Sequence, residues 1–292
     1  MSGDETDGSQ PSGGPFDSFG RRRTSPIHVL RGGADARRAA FHRGVYILPN
    51  LFTTAGLFLG VYAVIASSRG DFLTAAVCIV VAHVCDGLDG RIARWTHTES
   101  QFGVEYDSLA DLVAFGVAPG ILAYRWALEP WGTWGWLAAS LFVACGALRL
   151  ARFNVQAALV EKRSFVGLPI PAAADMVAAT VLLYYFFGGQ GETSKHFVLL
   201  LMIYGLAFLM VSNLRYYSFK DIDLRARAPF FMLVGLMLVV TVAVAQPQIL
   251  LFLAMIAYVL SGPTMWIAAR VHRHRMRSAR RSHRLAGGTG PR

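Results

Sequence analysis

Charge is scarce in this sequence. Asp, Glu, Lys and Arg together make up 16% of its 292 residues, against 54% apolar residues and a mean hydropathy of +0.43. An ordinary soluble domain carries about 25% charge, so so little excludes one. Cysteine is scarcer still. Cys78, Cys85 and Cys145 all fall in apolar stretches, and their spacing builds neither a zinc site nor a disulfide framework. They read as small buried hydrophobes. No internal repeat is visible, and no pair of interrupted helices occupies matching halves as in many transporters. The opening MSGDETDGSQPSGGPFDSFG lacks the early basic residues and short apolar core of a secretory signal peptide.

What is abundant is long apolar runs. Eight reach membrane-crossing length, at approximately 46–68, 71–92, 106–128, 133–153, 167–187, 197–214, 228–246 and 248–271. Helices satisfy their own backbone groups in lipid. The expected fold class is therefore all-α, a polytopic membrane bundle of about eight transmembrane helices. Residues 1–44 read as a disordered tail that becomes basic towards the first span, and 272–292 as a basic cytoplasmic tail. Such tails suit anionic membrane lipids. Nucleic acid is not expected as a partner, because the positive-inside rule already accounts for the arginines. With both termini placed in the cytoplasm, 25 of the 28 Lys and Arg residues fall on that side. Only Arg69, Arg125 and Lys195 fall on the other.

Against this apolar background stands CDGLDGRIARWTHTESQFGVEYDSLAD, from Cys85 to Asp111. Ionisable residues in or beside a span are costly and are functional candidates by default. Asp86 and Asp89 are three apart, Asp107 and Asp111 four apart, so each pair shares one helix face. A short polar link, about 92–105, makes the two helices antiparallel neighbours and lets all four carboxylates converge at the cytoplasmic rim. Four adjacent carboxylates need counter-charge. Arg91 and Arg94 could supply some. Hard divalent cations such as Mg²⁺ or Mn²⁺ answer better, since they take oxygen ligands and share them with phosphates. Gly90 and Ala93, a turn apart, present a surface almost without side chain. It would admit a flat group or a closely packed helix.

The run Asp86-x-x-Asp89-Gly90-x-x-Ala93-Arg94, eight residues, then Gly103-x-x-x-Asp107-x-x-x-Asp111 resembles the signature of the CDP-alcohol phosphatidyltransferases at every fixed position. The resemblance implies a six-helix membrane core, here 45–217, with two additional helices in 218–271, in a homodimer of the cytoplasmic (inner) membrane whose site opens to the cytoplasm. It implies two divalent metals on Asp86, Asp89, Asp107 and Asp111, with Asp111 as general base. It also implies a CMP moiety near Gly90, Ala93, Arg94 and Gly103.

The stretches 48–60, 102–119, 149–155 and 165–174 resemble the bacterial members of that family that use L-serine with CDP-diacylglycerol. Ala114 departs from the Ser that many of them carry. Serine brings a carboxylate, which suits the guanidinium fork. Arg149, Arg152 and Asn154 are the expected serine- or phosphate-binding residues, with membrane anchoring as the other reading of the arginines. Asn50 and Thr53 follow Pro49. They read either as helix N-terminal chemistry or as contacts to the nucleotide and the carboxylates. His83 reads as a packed, hydrogen-bonded residue and Glu105 as a solvated loop carboxylate. Glycerol 3-phosphate or an inositol phosphate as acceptor, and an ion-coupled transporter, are the alternatives.

The charge asymmetry generates a topological test. In single-cysteine variants of a cysteine-free background, Val160→Cys and Ile222→Cys should be protected from a membrane-impermeant reagent, and Gly191→Cys should react. Labelling of Val160→Cys from outside would reverse the orientation.

Overall fold

The computed structural model describes residues 50–96, 100–159, 165–192, 196–216, 237 and 245–286. They are almost all helical: α1 (Asn50–Ser68), α2 (Phe72–Thr96), α3 (Gln101–Trp131), α4 (Thr133–Leu159), α5 (Ile170–Phe186), α6 (Phe197–Val211) and α7 (Pro247–Ala286). Five of them, α1 to α4 and the Pro247–Ala268 part of α7, are long and apolar enough to cross a membrane; α5 and α6 are shorter apolar helices. The chain is a multi-pass membrane protein. The expected span 228–246 lies outside the described residues apart from Met237, Ala245 and Gln246, and the 1–44 tail lies outside them too.

Local chemistry sets the ends. Gly70, with φ +81°, turns the chain between α1 and α2, and Gly132, with φ +55°, does so between α3 and α4. Ser100 caps α3 by accepting from the Gly103 N–H at 3.0 Å. Because of that cap the expected polar link 92–105 is mostly helix, and Glu105 is an exposed residue on α3 rather than a loop carboxylate. Pro169 and Pro171 open α5 as the sequence suggests, at positions where a missing N–H costs nothing.

α3 is not a uniform α-helix. It widens into π-helix at Leu112–Val117 and again at Tyr124–Leu128. The Ala118 N–H reaches back five residues to the Val113 carbonyl. Pro119 immediately follows and cannot donate. A wider turn lets the helix continue past it.

The interior is built on small side chains. Ala63, Ala75, Ala76, Ala82, Ala118, Ala138, Ala173, Ala174 and Ala178 are completely buried. Lipid tails are as apolar as the core, so helix association in a membrane depends on close packing, and small residues permit it. Gly60 abuts Ala114 so closely that a Cβ there would come within 2.7 Å of the Ala114 Cα. Ile170 seats against Gly116 and Gly146, joining α3, α4 and α5. α5 is the central helix, buried along most of its length and flanked by α2 and α7. Large apolar residues such as Phe58, Leu109, Trp134 and Phe208 point outward.

One β feature occurs among the described residues. β1 (Phe165–Val166) pairs antiparallel with β2 (Arg215–Tyr216), in the register Phe165 to Tyr216. Beside it Gly167 has φ +86°, donates to the Leu214 carbonyl at 2.8 Å, and lies against the carbonyls of Met210 and Ser212. Both the left-handed backbone and the close approach demand glycine. Gly167→Ala should therefore destabilise the protein by more than about 1 kcal/mol, read as a lowered melting temperature in detergent. A parent-like melting temperature would contradict the tight junction.

Candidate active site

The four aspartates lie where the C-terminal third of α2 meets the start of α3. Side-chain oxygens of Asp86, Asp89 and Asp107, one from each, lie within 4.8 Å of one another. Asp111 is not part of that triplet but lines the same cleft, with Phe52, Thr53 and Gly56 of α1, Ala82 of α2 and Ala114 and Phe115 of α3. The floor of small residues follows from the packing of α1 against α3 at Gly60 and Ala114. Asp89 is 4% exposed, although it is a charged residue at the rim of a membrane helix.

α1 supplies the polar support. Thr53 donates from Oγ1 to Asp89 Oδ2 at 2.9 Å. The neighbouring Thr54 hydroxyl meets the Tyr106 hydroxyl at 3.0 Å, tying α1 to α3 between the aspartates. A Cβ built on Gly103 would lie 3.5 Å from Asn50 Oδ1, so the first turn of α1 stands directly against the start of α3. Thr53 thus lines the carboxylate cleft, and Asn50 stands beside the start of α3 at Gly103.

Gly90 behaves differently from the packed glycines. Among the described residues a Cβ there would meet nothing within 4 Å, and the same holds for Gly87. Helix packing does not explain them; the bare backbone faces open space. Ala93 and Arg94 lie on the last turn of α2, and their side chains fall outside the described residues.

The second group of predicted residues comes from α4. Asn154 donates from Nδ2 to the Ser108 hydroxyl at 2.9 Å, one residue from Asp107. Arg152 donates to Asn213 Oδ1 at 2.8 Å. Arg149 is 6% exposed; its Nε donates to the Leu168 carbonyl at 3.3 Å and its guanidinium lies 5.7 Å from the centre of the Phe153 ring. A snorkelling anchor would extend its head to the interface. Arg149 instead keeps its head inside the protein.

Sequence reasoning missed Asp175. It lies in the middle of α5, 2% exposed, with Oδ2 against His83 Nδ1 and Oδ1 without a hydrogen-bond partner. His83 stands one turn before Asp86, packs edge-on against Phe115 of the cleft, and lies with Asp175 within electrostatic reach of Asp86. The available signal was a lone carboxylate inside an apolar span. The packed reading of His83 holds, with a partner on another helix.

Four carboxylates are thus gathered beside a bare helix face in a bundle of apolar helices, a charged cleft in a membrane protein. The family model described as CDP-alcohol phosphatidyltransferase matches residues 46–214, and this chain belongs to that family. It is 41% identical over 226 residues to a Helicobacter pylori CDP-diacylglycerol–serine O-phosphatidyltransferase, covering 76% of this chain and 92% of the relative. A Mycobacterium bovis protein of the same name is 33% identical over 229 residues, covering 76% and 79%. An archaetidylserine synthase of Methanothermobacter thermautotrophicus is 35% identical over 171 residues, covering 58% and 69%.

The pairing of α5 with α2 can be tested. His83→Ala strands the Asp175 carboxylate and should cost about 1–3 kcal/mol. Adding Asp175→Leu should recover much of that loss, since an apolar pair can replace a buried ionic one. Melting curves in detergent would report both; a double variant less stable than His83→Ala would refute the pairing.

Proposed function

We propose that this protein transfers the phosphatidyl group of CDP-diacylglycerol to L-serine, releasing CMP and phosphatidylserine. The observation that carries the reaction type is the convergence of Asp86, Asp89 and Asp107 beside Asp111 under the open face of Gly90. The names of the serine-using relatives support the acceptor. Family membership leaves no reason to read the aspartates as a transport path.

The donor set fits divalent cations. It is all carboxylate oxygen, three of the groups lie within ligand-sharing distance, and none of the four has an ion-pair partner among the described residues. Asp86, Asp89, Asp107 and Asp111 would hold two Mg²⁺ or Mn²⁺ ions, which supply charge neutralisation for the pyrophosphate and the departing CMP. Thr53 orients Asp89 through its hydrogen bond. Gly90, Ala93, Arg94 and Gly103 bound the space for the cytidine nucleotide, with Asn50 at its edge. Arg149 and Arg152 take the serine carboxylate and the lipid phosphate, and Asn154 fixes the end of α4 to α3.

Asp111 accepts the serine hydroxyl proton. The hydroxyl oxygen then forms a bond to the phosphorus bearing the diacylglycerol, and the bond from that phosphorus to the CMP oxygen breaks. The site faces the cytoplasm, where serine and CMP are exchanged. The protein works in the inner membrane as a homodimer.

Purified enzyme supplied with CDP-diacylglycerol, Mn²⁺ and single acceptors is the test. CMP should appear with serine and not with glycerol 3-phosphate or inositol phosphate, and chelation should abolish it. Asp86→Asn and Asp107→Asn should remove activity and weaken Mn²⁺ binding measured by electron paramagnetic resonance, while the protein stays folded. Full turnover in excess chelator would overturn the metal assignment, and CMP release with glycerol 3-phosphate alone would overturn serine.

A further inference from the structure

Arg149 poses an electrostatic problem that the four-aspartate site does not solve. Burying a cation without an opposite charge is expensive. Among the described residues no Asp or Glu pairs with it; its hydrogen bond to protein is the one from Nε to the neutral Leu168 carbonyl. Among the described residues its charged neighbours are not acidic either. Arg152 adds repulsion, and the other group acting on the guanidinium is Tyr258. A buried guanidinium whose terminal nitrogens have no partner among the described residues is suited to take an oxyanion from outside the chain.

Tyr258 comes from α7, beyond residues 46–214 of the family match. Its place beside Arg149 is fixed by a chain of contacts. Leu168, which accepts from Arg149, follows Gly167 and the β1–β2 pair, and β2 ends in Tyr216. Tyr216 is 4% exposed, and burial pushes its phenol up to about 12, so it remains a hydroxyl donor. It donates to the Val259 carbonyl at 3.2 Å. Its ring lies 5.5 Å from that of Tyr258 and rests against Gly262, where a Cβ would collide with it. α7 is thus docked through Tyr216, which brings Tyr258 within electrostatic reach of the guanidinium.

We propose that α7 completes an oxyanion pocket around Arg149, in which the Tyr258 hydroxyl is a second donor to the anionic group that the arginine holds. This rests on the reading of Arg149 as a substrate-binding residue. Both substrates carry a suitable group, the serine carboxylate or the phosphate of CDP-diacylglycerol. The two donors would act together: the arginine supplies charge, and the tyrosine supplies a second hydrogen bond from α7. The chain's C-terminal helix would then be part of the substrate site rather than an appended anchor.

The experiment is steady-state kinetics of full-length Tyr258→Phe, Arg149→Ala and the double variant, with each substrate varied at saturation of the other. Tyr258→Phe should raise one KM about ten- to a hundredfold, the range of a hydrogen bond to a charged acceptor, with kcat little changed. A rise for serine assigns the pocket to the carboxylate, and a rise for CDP-diacylglycerol assigns it to the phosphate. In the Arg149→Ala background the same substitution should add much less, because the oxyanion is no longer held there. Tyr216→Phe separates docking from binding: it should lower the melting temperature and leave both KM values near the parent's. If Arg149→Ala changes a KM and Tyr258→Phe changes neither, the α7 pocket is refuted while the arginine reading stands. If Arg149→Ala itself leaves both KM values unchanged, the arginine reading fails and the pocket with it.

Discussion

Mutual repulsion among carboxylates is the constraint on which the rest of this structure depends. Three aspartate oxygens within 4.8 Å of one another, with a fourth carboxylate lining the same cleft, are costly to hold at the rim of an apolar bundle. The surrounding helices are arranged to hold them nonetheless. α2 and α3 each present two acids on one face. α1 stands behind with Thr53 bonded to Asp89 and Thr54 joined to Tyr106. The close contact of Gly60 with Ala114 brings α1 near enough for those bonds to form. Packing of small residues, a property of membrane helices in general, is here what places polar support beneath a charged site.

The central position of α5 has a matching logic. It is buried on nearly all sides, yet it carries Asp175, and its N-terminus begins just beyond the Leu168 carbonyl that Arg149 uses. One helix therefore touches the surroundings of both charged regions, the aspartates through His83 and the arginines through Leu168. Among the described residues the cleft aspartates and Arg149 make no ion pair with one another, so neither charge is neutralised by the other.

Much of this was legible in the sequence. Ionised groups cannot be scattered through membrane spans without cost, so the four aspartates announced themselves, and spacings of three and four residues assigned their faces. Pro169 and Pro171 marked the start of α5 for an equally local reason. The features that were not legible depend on contacts between distant parts of the chain. The His83–Asp175 pair joins residues 92 apart in sequence. The burial of Arg149 depends on Leu168, and the seat of α7 on Tyr216 meeting Gly262. Charge counting reads an arginine near a helix end as an anchor or a ligand-binding group with equal ease; it does not reveal that the Arg149 head is buried. The link between α2 and α3 was overestimated because its polar composition looks like a loop, whereas a serine cap lets polar residues form the first turns of α3.

The π-helical stretch at Leu112–Val117 separates two periodicities within one helix. A wider turn accommodates an extra residue, which displaces everything beyond it by roughly 100° about the axis relative to a straight α-helix. Residues before the stretch, Asp107 and Asp111 among them, can be aimed by the needs of chemistry. Residues after it, such as Ala118 and Leu122, can be aimed by the needs of packing. The Leu112–Val117 stretch thus sets the carboxylate-bearing start of α3 at a different rotation from the packed segment that follows it.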